Sequence, residues 1–517
     1  MFKENNKLIL SLLIIILGIF LISISNFYNL ETLSFKHWSK HKDDIVFVYN
    51  SLLYAEGLEQ EHTDHPALFT FLIYPVFYKI FYFFGYINFY DLSSFLNEPN
   101  INVSLNKLFL ISQIGTFIFC SIFTIIFFKI MKKFSVRNID AFFIILLLFV
   151  STGFLNQSTR IESGLLAATF LLASYFFLIK FFEAENKKSY FYFMLVIILF
   201  LSSMMQKKLV YFAAPALMFS SFYFLKVGKN DLIQSKYMKK NIILFVVYFL
   251  VFLFIFLKTF RPDRYLDFLF LFINYAGVNL LLFMYVKYFK FKEYSYLLIY
   301  NLIYLAAYFS YKLILINFFG AHKEIWVISF TSFIGHLNQF SSGSTLNKID
   351  FVALPVYFFT FLSNLQNIFI KYFFTISFQS LLIYSNIVLL SIFFKNIPKN
   401  EKFSIISLLI GFIIFQTICS FRYEDPSYFI FSEFLLLLSL SILSKNFKFN
   451  FLYFFSLVIF CSVLVFSNRE TISIAKMKNK GNGCHYVLGE VVVEPDNFYT
   501  GYTKRIPREK LLEFCKD

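Results

Sequence analysis

Two adjacent carboxylates, Asp43 and Asp44, stand in a polar stretch, residues 29–65, that also carries His37, His41, Glu56, Glu59, Glu61, His62, Asp64 and His65. Paired carboxylates suit two tasks: holding a divalent cation, or taking a proton from a reacting hydroxyl. One Asp of such a pair equally suits the start of a helix, where its side chain satisfies free backbone N–H groups, and spacing leaves these uses open. The run His62-Thr63-Asp64-His65-Pro66 has ligands for a divalent ion such as Mg or Mn, or makes a polar turn stopped by Pro66. Three further charge groups interrupt apolar sequence: Arg160 with Glu162, the pair Lys207 and Lys208, and Arg422-Tyr423 followed by Glu424, Asp425 and Pro426. A lysine pair can hold a phosphate, and an arginine can grip one through two parallel hydrogen bonds. Each of these charges can also be an interfacial residue whose stem lies in lipid and whose head reaches water.

The elements that must position these groups are apolar helices. Of the 517 residues 58% are hydrophobic and 15% charged, against about a quarter charged in soluble domains, so most of the surface must face lipid. A crossing needs about 20 apolar residues. Runs of that kind lie near 8–28, 106–128, 139–157, 163–182, 190–206, 209–226, 241–259, 266–286, 294–316, 374–394, 403–421, 427–444 and 450–467, which predicts an all-α polytopic membrane protein with about thirteen spans. The first run has no small-residue cleavage site after it and reads as a retained span. Abundant Phe (80) and Tyr (34), alongside Lys and Asn, match an AT-rich coding sequence and do not by themselves define a recognition surface.

The net charge of +16 does not point to nucleic acid, because the basic residues fall in short clusters between apolar runs. Those clusters, at Lys3 and Lys7, 129–137, 187–188, 226–240, 287–292, 395–402 and 445–448, occupy alternate loops. Lys and Arg mark the cytoplasmic side of short loops. The pattern therefore predicts a multi-pass protein, in the bacterial inner membrane, with its N-terminus inside and its C-terminus outside. The stretch 317–373 reads as an outer excursion of interfacial helices interrupted by Pro355. The tail 467–517 reads as a small extracytoplasmic cap, in which Cys484 and Cys515 would form a disulfide; Cys120, Cys419 and Cys461, within apolar runs, read as packing residues. The four charge groups named first all fall on the outer side of this map.

In the first outer loop, Asp43-Asp44, a helix ending at Glu56-Gly57, and Asp64-His65-Pro66-Ala67-Leu68 before an apolar helix over 69–84 and Gly85 resemble the GT-C superfamily of polyprenyl-phosphate-sugar glycosyltransferases. Arg160 with Glu162, Lys207-Lys208 and Arg422-Tyr423 leading to Pro426 fall in the order of that superfamily's acidic/Arg turn, basic pair and Arg-Tyr turn. The chain is similar throughout its length to the lipid A aminoarabinose transferase and protein O-mannosyltransferase type. It departs from them at Asp44, where they have Glu, and at Ala67, where they have a second Pro.

The resemblance implies a GT-C-like transmembrane domain over 1–466, including the first outer loop 29–105, and transfer of a sugar from a polyprenyl-phosphate donor to a hydroxyl of a lipid, glycan or protein acceptor. Asp43 or Asp44 would be the base, and Lys207, Lys208, Arg422, Tyr423 and Arg160 would hold the donor phosphate. His62, Asp64, His65 and Glu162 would support the acceptor or a divalent cation. Two alternatives stand beside it. A lipid-linked oligosaccharide polymerase or ligase would carry its key residues in a later loop, and a secondary transporter or flippase would carry ionisable groups or helix breaks at mid-membrane depth.

Overall fold

The computed structural model describes residues 7, 9–19, 42–58, 61, 67–183, 188–207, 210–224, 359, 362, 363, 366, 369, 370, 374–419, 428–446, 451–467 and 505. The expected spans at 241–259, 266–286 and 294–316, most of 317–373 and the Cys484–Cys515 pair lie outside these residues. Among the described residues every regular element is a helix and no strand occurs. In chain order they are α1 (Ile9–Ile19), α2 (Lys42–Ala55), α3 (Leu68–Phe83), α4 (Leu92–Leu96), α5 (Ile101–Lys133), α6 (Asn138–Phe149), α7 (Thr152–Ser158), α8 (Gly164–Glu183), α9 (Lys188–Gln206), α10 (Val210–Ser220), α11 (Phe378–Phe393), α12 (Lys399–Cys419), α13 (Phe429–Asn446) and α14 (Phe451–Ser467).

Two described helices, Val103–Lys133 and Gly164–Glu183, are long and apolar enough to cross a membrane. A third crossing results if α6 and α7, bent by 63° at their junction, form one broken span. Shorter apolar helices include α3, α11, Phe191–Gln206 and Tyr453–Val465. α5 has 33 residues, about 50 Å at 1.5 Å per residue, which exceeds an apolar core of about 30 Å. Its N-terminal half is sheathed by α3: Tyr74 Oη pairs with Thr116 Oγ1 at 3.1 Å and Tyr78 Oη with Ser112 Oγ at 2.9 Å.

The junction corrects the expectation of one straight span over 139–157. Ser151 accepts from Phe154 N at 3.3 Å, so a hydroxyl caps a new helix in the middle of the apolar run. Gly153 then lets α7 reach the backbone of α13, since a β-carbon there would stand 2.1 Å from Ile430 N. Another difference is at α10, which tightens to a 3-10 turn over Ser221–Phe224.

Charged ends collect at two opposite poles. At one, Lys133 of α5 pairs with Glu183 of α8, Phe134 packs on Tyr223 and Phe224, and Lys445 Nζ of α13 donates to Glu401 Oε1 of α12 at 2.6 Å and to Tyr223 Oη at 2.9 Å. At the other lie the starts of α2, α3, α8 and α13 and the end of α9. Packing between the poles uses small residues and hydroxyl-to-carbonyl bonds, as expected where lipid supplies no hydrophobic drive. Across the α8–α9 pair, Ser174 Oγ donates to Val196 O at 2.9 Å and Ser203 Oγ to Ala167 O at 2.6 Å.

Candidate functional site

The Asp43-Asp44 pair lies in the first turn of α2. Asp44 is buried, and its Oδ1 accepts the backbone N–H of Ile161 at 3.0 Å. A carboxylate in the first turn of a helix would ordinarily serve that helix's own N–H groups. Here it reaches the turn between α7 and α8, which brings the first two charge groups of the sequence together. The side chain of Asp43 lies outside the described residues.

Within that turn, Arg160 Nη1 donates to Glu162 Oε1 at 3.0 Å, both side chains being about 5% exposed. Gln157 Nε2 donates to Glu162 Oε2 at 2.9 Å, while Gln157 Oε1 accepts Leu165 N at 2.8 Å and so caps α8. One amide thus ties the end of α7, the carboxylate of Glu162 and the start of α8 together. These charges are buried and paired, not interfacial residues reaching for water, and a buried ion pair of this kind is held by its added hydrogen bonds.

Lys207, the first residue after α9, is 4% exposed, and its ammonium sits 4.6 Å from the centre of the Tyr428 ring at the head of α13. The preceding Gln206 stitches this end to α3: its Oε1 accepts Phe69 N at 2.8 Å and Thr70 N at 3.3 Å, and its Nε2 donates to Thr70 Oγ1 at 2.7 Å. Ala67, just before α3, has φ 42° and gives its N–H to Gln206 O. Proline, locked near φ −65° and lacking an N–H, could supply neither that conformation nor that bond.

Glu433 belongs to the same region and was not anticipated. It is fully buried in α13, accepts Gly153 N at 2.7 Å and Gln379 Nε2 at 2.6 Å, and so joins α7, α11 and α13. A lone carboxylate within an apolar run was the available signal. On α2, Tyr49 Oη donates to Glu61 Oε2 at 2.7 Å, Glu61 N to Asn50 Oδ1 at 2.8 Å, and Arg505 Nε of the tail to Glu61 Oε1 at 3.2 Å. Burial, with the hydrogen bond to Glu61, raises the Tyr49 phenol above its ordinary pKa and keeps it a donor. Glu56 instead receives Ser93 N and Ser93 Oγ at 3.1 and 2.6 Å and serves the fold of the first loop.

The structure therefore joins Asp44 to the Arg160–Glu162 turn through the backbone of Ile161 and sets Lys207 at the same pole. Lys208, Arg422, Tyr423, His62, Asp64 and His65 lie outside the described residues. Among the described residues no three His, Cys, Asp or Glu side chains group as a metal-holding set. No family model matches the chain, and it matches no curated protein and no solved structure.

Proposed function

We propose that this chain is a membrane glycosyltransferase of the GT-C kind, moving a sugar from a polyprenyl-phosphate donor to an acceptor hydroxyl at the extracytoplasmic face. The observation that carries the reading is the Asp44–Ile161 hydrogen bond, because it joins the acidic pair to the Arg160–Glu162 turn in a buried, hydrogen-bonded site. About thirteen spans, a cytoplasmic N-terminus and an outer cap over 467–517 complete the proposal. The separation of the lysine-rich helix ends from the Asp44 pole supports that sidedness.

In the reaction, Asp44 or Asp43 takes the proton of the acceptor hydroxyl as its oxygen bonds to the sugar's anomeric carbon from the face opposite the phosphate. The bond from that carbon to the phosphate oxygen breaks, the configuration inverts, and polyprenyl phosphate leaves. Lys207, with Lys208, Arg422 and Tyr423, carries the charge that develops on the phosphate. Gln157 and Arg160 fix Glu162 beside the acid, where it orients the acceptor. His62, Asp64 and His65 are the residues that would hold a divalent cation if the reaction uses one.

The test compares donor affinity and transfer rate for Asp43→Asn, Asp44→Asn, Lys207→Ala and Arg422→Ala. A base loses turnover with donor affinity kept, whereas a phosphate ligand loses both. Near-normal transfer by both Asp variants contradicts the proposal. A transporter is the second reading, favoured by the 63° break between α6 and α7 and the buried Glu433 beside it; vectorial solute uptake without sugar transfer would select it.

A further inference from the structure

Ser163, the residue before α8, is fully buried, and among the described residues its Oγ has no hydrogen-bond partner. A hydroxyl enclosed without a partner carries a desolvation cost that native structures rarely leave standing without a reason. At the head of a helix such a hydroxyl ordinarily caps a free N–H, but here Gln157 Oε1 has taken Leu165 N and displaced Ser163 from that task. The start of a 20-residue helix is also the positive end of its dipole, where backbone N–H groups favour an anion.

The α8–α9 register adds a cation. Ser174 lies opposite Val196 and Ala167 opposite Ser203. One turn further, the same antiparallel register sets Lys207 level with Ser163. Lys207 N bonds back to Ser203 O, so the helical path continues that far. Two acids neighbour the site: Glu162 is balanced by Arg160 at 3.0 Å, and Asp44, whose Oδ1 accepts Ile161 N, is the carboxylate that Lys207 offsets along with the incoming phosphate.

We propose that Ser163 donates its hydroxyl hydrogen to a phosphate of the substrate, at a site formed by the head of α8 and Lys207. This rests on the glycosyl-transfer reading above and adds to it a phosphate ligand on the turn that holds Asp44. Because Ser163 and Lys207 are enclosed, the phosphate enters by local movement of the chain around them, and association is slower than a diffusional encounter.

Purified full-length protein in detergent is titrated with undecaprenyl phosphate, and in parallel with undecaprenol, phosphatidic acid and inorganic phosphate. Ser163→Ala is expected to weaken undecaprenyl-phosphate binding about tenfold, and Ser163→Thr to stay within about threefold of the native protein. Undecaprenol binding should not change in either variant. A Ser163-dependent preference for phosphatidic acid or inorganic phosphate keeps the phosphate site and overturns the donor reading. Unchanged binding by Ser163→Ala, with Lys207→Gln weakened, overturns the role of Ser163 and leaves the transferase standing. Absence of undecaprenyl-phosphate binding by the native protein, with the other two phosphates also unbound, overturns both.

Discussion

The Asp44 carboxylate accepts the backbone N–H of Ile161, 117 residues away, at 3.0 Å, and Ile161 stands between the two members of the Arg160–Glu162 ion pair. A carboxylate held by a backbone donor is fixed in place, which is what a base that must meet an incoming hydroxyl requires. Asp44→Asn keeps an oxygen for Ile161 N and should fold, whereas Asp44→Ala leaves that N–H unpaired at about 1–3 kcal/mol. Thermal unfolding in detergent should rank Asn close to native and Ala clearly lower. Equal melting of the two variants would show that the bond is not structural.

The Arg160–Glu162 pair should behave as a buried ion pair. Removing one partner strands a charge, so Arg160→Met or Glu162→Leu alone should cost about 3–5 kcal/mol, and the double variant distinctly less than the sum. A double-mutant cycle on unfolding free energies measures it. Additive losses would mean that the two charges are coupled to other groups more than to each other.

The broken helix depends on close approach. At Gly153 a β-carbon would stand 2.1 Å from Ile430 N and 2.5 Å from Phe429 C, backbone atoms that cannot swing aside. Gly153→Ala should therefore push α7 from α13 and weaken the Gly153–Glu433 bond. Glu433→Leu should lower stability more than Glu433→Gln, because Leu leaves Gly153 N and Gln379 Nε2 without an acceptor. Melting curves of the three variants check this, and a Gly153→Ala protein as stable as the native one would contradict the packing.

Arg505 meets the first polar stretch, since its Nε donates to Glu61 Oε1 and its N to Tyr49 Oη. Cysteines introduced as Arg505→Cys and Glu59→Cys should react with an impermeant thiol reagent from the same face in sealed vesicles. Labelling of positions 59 and 505 from opposite faces would refute the arrangement.

The helices were legible because each apolar run is set off by polar residues. α8 spans 164–183 where 163–182 is expected, and α3 spans 68–83 where 69–84 is expected. α2 ends at Ala55, and Gly57 follows it with φ 78°, near the helix end expected at Glu56-Gly57. Less legible were features that depend on another segment. Ser151 and Gly153 carried the signal for a break, but the apolar residues around them read as one run. The i, i+2 spacing of Arg160 and Glu162 is silent on whether they pair. Nothing local to Asp44 names Ile161, and Glu433, a lone acid in an apolar helix, gains meaning only when α7 and α11 are seen against it.

The central claim is tested most directly by incubating purified native protein with a panel of polyprenyl-phosphate sugars and acceptor glycans, lipids and peptides, and measuring release of polyprenyl phosphate coupled to acceptor glycosylation. The account predicts turnover with at least one donor, at a rate lowered by about two to four powers of ten in whichever of Asp43→Asn and Asp44→Asn removes the base. Acceptor glycosylation that proceeds at native rate in both variants would contradict it.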